Sequence, residues 1–249
     1  STYGNRRKLR CLPHLEYIFP DIHLLRLLYA GKPIIALCTG YSPMLDSRFF
    51  DKEPDLLAKA LLGKILRRRI THAEAGSTWL AARIIETEAY YLTEKGSHSS
   101  LGFTEKRKAM FMKPGTIYMY YARGGDALNF SARGKGNGVL VKSGFPHIDK
   151  KSPAANLEIM RELNPGRQTQ RPQERLCSGQ TLLCRSLNLK VPDWNQQQLT
   201  RSYFRLEDLG HVPSSIIQCR RIGIPPKRDP HLLLRFVDQE YAKYCTRNP

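Results

Sequence analysis

The sequence predicts an α+β (mixed α/β) fold, in which helices and an antiparallel sheet form a single domain. Two observations carry this prediction. The chain has 249 residues, of which 41% are hydrophobic and 25% are charged, as expected for one substantial folded domain. Short runs of β-forming residues also follow one another across glycine-rich turns, which favours antiparallel pairing. A parallel sheet would require strands and helices to alternate along the chain, and the sequence shows no such series.

Three helices are predicted from apolar stripes and from the residues at their ends. The first runs from Pro54, a favourable residue in a first turn, to Gly63, which ends the stripe. Ser152 is expected to cap a second helix that ends near Leu163. Ser178 is expected to cap a third helix in the same way.

The predicted strands are rich in β-branched and aromatic residues. The longest covers residues 79–91 and is followed by a polar loop over residues 93–108. Three strands then follow across two glycine turns, and two more close the sheet near the end of the chain: residues 116–123, 127–133, 139–143, 220–224 and 232–237.

The N-terminal part of the chain differs in character from the rest. Residues 1–45 have mixed patterning and are predicted to be an extension, residues 46–240 the folded domain and residues 241–249 a tail. The apolar stretch 22–38 is interrupted by Arg26, Lys32 and Pro33, so we do not expect it to span a bilayer or to act as a signal peptide. A buried or docked segment is the simpler interpretation.

Charge and cysteine content narrow the possible partners. Forty Lys and Arg residues against 22 Asp and Glu residues give a formal net charge of +18. This excess favours a polyanionic partner, although a merely soluble basic protein is an alternative. None of the six cysteines forms a C-x-x-C pair, and the histidines show no ligand spacing. We therefore expect no metal, no cluster, no cofactor and a reducing compartment.

Two glutamates on the longest predicted strand are candidates for chemistry. Side chains alternate between the two faces of a strand, so Glu86, Glu88 and Tyr90 are expected to share one face. Two carboxylates among apolar residues are costly to bury unless they are paired or take part in a reaction. The alternative is an exposed face with solvated carboxylates and a surface tyrosine.

A second stretch interleaves cations with aromatic residues. Residues 106–121 combine basic side chains, a glycine turn and several rings, which is typical of a surface that contacts phosphates and bases. For Phe111, Met112 and Tyr118 individually, a place in the core is the simpler interpretation.

Several uncommon strings follow one another along the chain: residues 85–90 (Ile-Glu-Thr-Glu-Ala-Tyr), 98–99 (His-Ser), 110–118 (Met-Phe-Met-Lys-Pro-Gly-Thr-Ile-Tyr), Asn129, 176–179 (Leu-Cys-Ser-Gly) and 221–223 (Arg-Ile-Gly). In this order and spacing they resemble the alkyladenine (3-methylpurine) DNA glycosylase family. The resemblance covers roughly residues 49–236 and implies a curved antiparallel sheet with a protruding β-hairpin, surrounded by helices, without a metal. It also implies hydrolytic, monofunctional excision of damaged purines.

The resemblance assigns roles to individual residues. Glu88 matches the catalytic carboxylate, a general base for the attacking water. Tyr90, His98 and Tyr120 match the walls of a pocket that stacks on a flipped base, and electron-rich rings attract a cationic purine. Asn129 matches the residue that disfavours normal guanine by crowding its exocyclic amino group.

Two departures from the family pattern stand out. The hairpin tip is one residue shorter than the resemblance implies, and Arg123 is nearest the position of the aromatic wedge, with Tyr121 as the other candidate. Lys142 stands where the family has an arginine beside the catalytic water. A lysine supplies charge with looser geometry, and an alternative is that it attacks the sugar and gives lyase activity.

The resemblance implies double-stranded DNA with damaged purines as the partner of an intracellular, DNA-associated monomer without membrane contact. The helix after Ser178 is a candidate phosphate site, and residues 64–69 either add to the DNA surface or form a solvated helix end. A catalytically weak damage-binding protein and an RNA-directed role are the alternatives. Cations expected to contact the DNA backbone are Lys106, Arg107, Lys108 and Lys113.

Overall fold

The structure is a computed structural model that describes residues 44–122 and 124–246, and the backbone of two strands nearer the N-terminus. The chain divides into two compact units, residues 1–43 and 44–249. In the first unit β1 (His23–Tyr29) pairs antiparallel with β2 (Lys32–Cys38). The predicted burial of this segment lies outside the described side chains. Among the described residues, no helix has the length and apolarity needed to cross a membrane.

The second unit confirms the predicted α+β fold. Its eight strands form one antiparallel sheet that curls into a half-barrel. The order is β5-β6-β7-β4-β10-β9, and β3 pairs with both β4 and β8. The strands are β3 (Ile65–His72), β4 (Gly76–Tyr90), β5 (Ile117–Ala122), β6 (Gly125–Ser131), β7 (Gly138–Pro146), β8 (Phe204–Glu207), β9 (Ile216–Cys219) and β10 (Arg235–Asp238).

The 15-residue strand β4 organises the sheet, because it pairs with β3, β7 and β10. Its middle is rich in β-branched and small apolar residues that are fully buried, including Leu80 and Ile84. The β4–β7 register shifts between Ile84 and Thr87, as at a bulge, and such an irregularity re-aims side chains near functional sites. The C-terminal half of β4, which carries the two glutamates, lies beside β10, where Arg235 is the register partner of Glu88.

Short helices surround the sheet and bury their apolar faces against it. Leu57, Ala58 and Leu61 of the amphipathic second helix are fully buried in the main core cluster. The helices are α1 (Ser47–Phe50), α2 (Pro54–Leu61), α3 (Asn156–Leu163), α4 (Gln180–Ser186) and α5 (Val191–Trp194). Turns of 3-10 helix cover His98–Leu101, Glu105–Phe111, Gln173–Arg175 and Gln239–Tyr244, and the first two interrupt the predicted polar loop.

The two predicted serine caps are wrong. The helix predicted to follow Ser152 begins only at Asn156, and the Ser152 hydroxyl accepts a hydrogen bond of 2.8 Å from the Arg67 guanidinium. Gly179, not Ser178, precedes α4, and its positive φ of 104° favours glycine at this position. The Ser178 hydroxyl donates to the carbonyl of Tyr244.

The closing strands are also displaced from their predicted places. Residues 220–224 form no strand, since the Ile222 amide donates to the Glu88 carboxylate (3.2 Å) rather than to a neighbouring strand. The strand of this region is β9, which ends at Cys219. The last strand is confined to Arg235–Asp238, at the edge of the predicted range.

Lys64, Arg67, Arg68 and Arg69 do not form a helix end, and Arg69 is exposed, whereas Arg68 is half-buried and the other two are buried. Most of them belong to β3, and Arg67 is fully buried. Its guanidinium donates to Glu207 (2.6 Å) and to Asp149 (3.1 Å through Nη1), so this arginine has a structural role in an ion-pair network.

Candidate active site

A cleft of about 750 Å³ opens beside the C-terminal half of β4. Its walls come from β4, β5, β6 and β7, from the loop at His98, from the start of α4 and from the loop after β9. Residues that line the cleft include Tyr90, His98, Met110, Tyr118, Tyr120, Tyr121, Asn129, Lys142, Ser178, Ile222, Arg228 and Thr246. Most candidate site residues therefore meet at one place.

Glu88 lies immediately behind the cleft wall and is fully buried. Its Oε2 accepts a 2.6 Å hydrogen bond from the Tyr90 hydroxyl, and its Oε1 accepts one of 3.2 Å from the Ile222 amide. The alternative of a solvated carboxylate is therefore wrong. The two hydrogen bonds hold the carboxylate against the cleft wall with little freedom to rotate.

Lys142 is the cation of this site. Its Nζ lies 3.4 Å from Glu88 Oε1, its side chain is mostly buried, and it lines the cleft. This is a longer contact than a charge-assisted hydrogen bond, which measures about 2.7–2.9 Å. The carboxylate is therefore held more loosely on the Lys142 side than on the Tyr90 side.

Tyr90 connects the carboxylate to the cleft. Burial and then the adjacent Glu88 charge raise the pKa of the Tyr90 phenol well above its ordinary value, so the hydroxyl remains a donor. The guanidinium of Arg221 lies 4.5 Å from the centre of the Tyr90 ring. Arg221 also donates to the carbonyl of Ala89 (2.8 Å) and pairs with Glu94, which fixes its position over the ring.

Three further rings form an aromatic wall. The rings of Tyr118 and Tyr120 are stacked with centroids 5.5 Å apart, and the His98 ring meets Tyr120 edge-on at 4.5 Å. Burial raises the pKa values of Tyr118 and Tyr120. Partial burial lowers the pKa of His98, and the charges of Arg228 and Arg107 lower it further. The wall is thus uncharged at neutral pH.

Tyr118 and Asn129 share one hydrogen bond across the β5–β6 pair. Asn129 is buried, lines the cleft and donates from Nδ2 to the carbonyl of Tyr118 at 3.1 Å. Tyr118 is buried, as the core interpretation predicts, but it also lines the cleft. The side chain of Asn129 is therefore held in one orientation beside the aromatic wall.

The hairpin tip lies between β5 and β6. Tyr121 is 69% exposed and lines the cleft, whereas Arg123 lies outside the described residues. Gly124 and Gly125 have φ values of +93° and +140°, which only glycine adopts readily, so the turn requires both. Arg185 of α4 donates to the carbonyl of Gly124 at 2.7 Å, which ties the tip to the helix.

The predicted DNA-backbone residues occupy different environments. Lys106 and Lys113 are exposed, and Arg107 and Lys108 are half-buried. Arg107 donates to the carbonyl of Gly102 at 2.5 Å, and Lys108 pairs with Glu105 at 3.4 Å. Ser178 lines the cleft, but the amide that follows it, that of Gly179, already donates to Ser143 Oγ at 3.0 Å.

The second glutamate, Glu86, is fully buried in a network of its own. Arg235 Nε donates to it at 2.6 Å, the Ser143 hydroxyl at 2.5 Å and the Thr246 amide at 2.9 Å. Arg235 Nη2 also donates to the carbonyl of Thr246 at 2.6 Å. Since Thr246 lines the cleft, this network holds the C-terminal segment in the cleft wall.

The sequence analysis did not single out Glu94 or Thr246, and it named Arg221 and Ile222 only within a matching string. Glu94 and Arg221 are 127 residues apart in sequence, and Glu86 and Thr246 are 160 apart. Neither pairing can be predicted from the residues next to it in the sequence.

One group among the described residues has the spacing of metal ligands. Donor atoms of His211, Asp238 and Glu240 lie within 4.8 Å of one another. Asp238 already accepts hydrogen bonds from His211 (3.1 Å) and from the Glu240 amide (3.2 Å), and none of the three lines the cleft. The group is best explained as a helix cap.

Comparison with known proteins identifies the family. Residues 48–242 match the family model described as methylpurine-DNA glycosylase. The chain is 56% identical over 219 residues to a Pseudomonas aeruginosa protein named "Putative 3-methyladenine DNA glycosylase", covering 87% of this chain and 89% of that protein. It is 55% identical over 206 residues to a Pseudomonas fluorescens protein of the same name, which is 82% of this chain and 87% of that protein.

A more distant relative is the DNA-3-methyladenine glycosylase of Mus musculus. The two chains are 34% identical over 215 residues, which is 81% of this chain and 59% of the mouse protein. The match to the family model covers all eight strands of the main sheet, the cleft residues other than Thr246, and both Glu86 and Glu88. This chain belongs to the methylpurine-DNA glycosylase family.

Proposed function

We propose that the protein is a monofunctional DNA glycosylase that takes an alkylated purine out of the double helix and hydrolyses its N-glycosidic bond. The observation that carries this proposal is the contact of the buried Glu88 carboxylate with Tyr90 and Lys142, which both line the aromatic cleft. A base extruded into this cleft places its sugar beside the carboxylate. Family membership supports DNA as the substrate.

In the proposed mechanism, Glu88 is the general base for a water molecule that attacks C1′ of the sugar. The loosest contact of the carboxylate, 3.4 Å to Lys142, is the point where this water would enter. The C1′–N bond breaks, its electron pair leaves with the purine, the water oxygen bonds to C1′ and its proton passes to Glu88. A positioned base of this kind contributes about 10²–10⁴-fold to the rate.

The aromatic rings that line the cleft account for the proposed preference for alkylated purines. Tyr90, Tyr120 and His98 present electron-rich rings, and alkylation at N3 or N7 gives the purine a positive charge that these rings attract. We propose that Asn129, which is fixed by its hydrogen bond to Tyr118, crowds the exocyclic amino group of normal guanine. Lys142, whose Nζ lies 3.4 Å from Glu88, is then the cation that orients this carboxylate.

For the DNA surface, we propose that Lys106, Arg107, Lys108 and Lys113 contact phosphates, that Ser178 lies beside the backbone at the cleft, and that the protein acts as a monomer. Tyr121, exposed at the hairpin, and Arg123 are the candidates for the residue that fills the gap left by the extruded base. We further propose that residues 46–240 form the glycosylase domain, with residues 1–45 and 241–249 as extension and tail.

The test is to incubate the protein with methylated duplex DNA and to identify released bases by chromatography. We expect free methylated purines and a DNA strand that stays intact until alkali is added. Strand cleavage without alkali, with a product trapped by borohydride, would instead show that Lys142 acts as a lyase nucleophile. Binding without base release would indicate a damage-binding protein and contradict the proposal.

The lowered pKa of His98 predicts a pH dependence. The ring is neutral at neutral pH and becomes a cation only as the pH falls through its lowered pKa, where it repels a cationic purine. We expect kcat/KM for 7-methylguanine release to fall more steeply on the acid side in the wild type than in His98→Gln, because only the wild type has this ring to protonate. Identical slopes would show that the charge of His98 does not matter.

A further inference from the structure

A loop at the edge of the cleft carries exposed apolar side chains that the proposed mechanism does not use. We call residues 98–111 the rim loop, since it begins at His98, which lines the cleft, and includes both 3-10 turns. Leu101 and Phe103 are 63% and 55% exposed and flank Gly102. Isolated exposed apolar residues are common, but two in one loop beside a functional cleft call for an explanation.

The Phe103 ring packs against a second aromatic ring, that of Phe111. It meets Phe111 edge-on with centroids 5.4 Å apart, and Phe111 packs against the buried cluster of Ala109, Met110 and Tyr118. Arg107 fixes the backbone of the loop through its hydrogen bond to Gly102. A continuous series of contacts therefore links the exposed ring to the aromatic wall of the cleft. Such a ring can stack on a partner at a small cost in conformational entropy.

The charges around Phe103 favour a nucleic acid as its partner. Lys106, Arg107 and Lys108 follow it within five residues, and the cores of protein–protein interfaces are usually depleted of charged residues. Cations that contact phosphates next to a ring that contacts a base are typical of surfaces that bind nucleic acids.

We propose that Phe103 stacks on a nucleobase next to the lesion and forms a second point of base contact, separate from the hairpin tip. This inference rests on the proposed function, because it requires a duplex with its damaged base extruded into the cleft. The ring stabilises the distorted duplex after extrusion. It takes no part in bond cleavage, since it lies outside the contacts of Glu88 and Lys142.

The experiment uses the full chain and a duplex that carries a tetrahydrofuran abasic analogue flanked by 2-aminopurine. Binding and 2-aminopurine fluorescence are measured for wild type, Phe103→Ala, Phe103→Trp and a control, Tyr203→Ala. Tyr203 is 59% exposed, does not line the cleft and immediately precedes β8, which pairs with β3. We expect Phe103→Ala to weaken binding about tenfold and to abolish the fluorescence change. Phe103→Trp and Tyr203→Ala should behave as wild type.

The outcomes separate this inference from the proposed function. If all variants bind with equal affinity and equal fluorescence change while the wild type releases methylated bases, the stacking role is wrong and the glycosylase proposal stands. If Phe103→Ala loses affinity and fluorescence but the wild type releases no base, the stacking role stands and the catalytic proposal fails. Loss of binding in Tyr203→Ala as well would show a non-specific effect of removing an exposed ring, which overturns the inference.

Discussion

Replacing Glu88 with glutamine is expected to reduce base release by about 10²–10⁴-fold and to leave DNA binding within a few-fold of wild type. The amide keeps the size of the side chain and can still accept a hydrogen bond from Ile222, but it cannot take a proton from water. The measurement is single-turnover release of 7-methylguanine with enzyme in excess, together with the Kd for a duplex that contains an abasic analogue.

Glu105→Gln is the matched control for this variant. It makes the same chemical change to an exposed carboxylate of the rim loop, which pairs only loosely with Lys108. We expect this control to release base at the wild-type rate. If Glu88→Gln retained more than a tenth of the wild-type rate, Glu88 would not be the general base, and another group beside the cleft would have to activate the water.

The parts of the site that depend on local sequence were predictable. Alternating β-formers indicated β4, and its period of two brought Glu88 and Tyr90 to the same side, where they share a hydrogen bond. The glycines between residues 122 and 126 also located the turn of the β5–β6 hairpin, because the backbone of such a turn requires residues that tolerate positive φ.

The parts that depend on distant partners were not predictable. Three consecutive arginines at residues 67–69 are typical of a solvated surface, but Glu207, 140 residues away, makes the burial of Arg67 possible. The segment 220–224 has the composition of a strand, yet its polar groups bond to Glu88, Ala89 and Glu94 instead of to a neighbouring strand. Local propensity cannot anticipate such contacts, because tertiary structure overrides it.

The buried pair of Glu86 and Arg235 predicts the second large effect. Both side chains are almost completely buried, and Arg235 is the register partner of the catalytic candidate Glu88. Glu86→Gln removes the negative charge with which the Arg235 guanidinium forms an ion pair inside the protein. We expect the free energy of unfolding to fall by about 3–5 kcal/mol, the usual cost of breaking a buried ion pair on one side. Chemical denaturation measures this change.

A double-mutant cycle tells whether charge pairing is the cause. If it is, Glu86→Gln combined with Arg235→Met should cost less than the sum of the two single changes, because the double variant removes both charges of the pair. Arg133→Met, which breaks the exposed pair with Asp51, should change the denaturation midpoint little and is the control. Additive single effects would mean that the two side chains act independently. The cleft wall at Thr246 would then depend on hydrogen bonds rather than on charge, since Glu86 and Arg235 both bond to the Thr246 backbone.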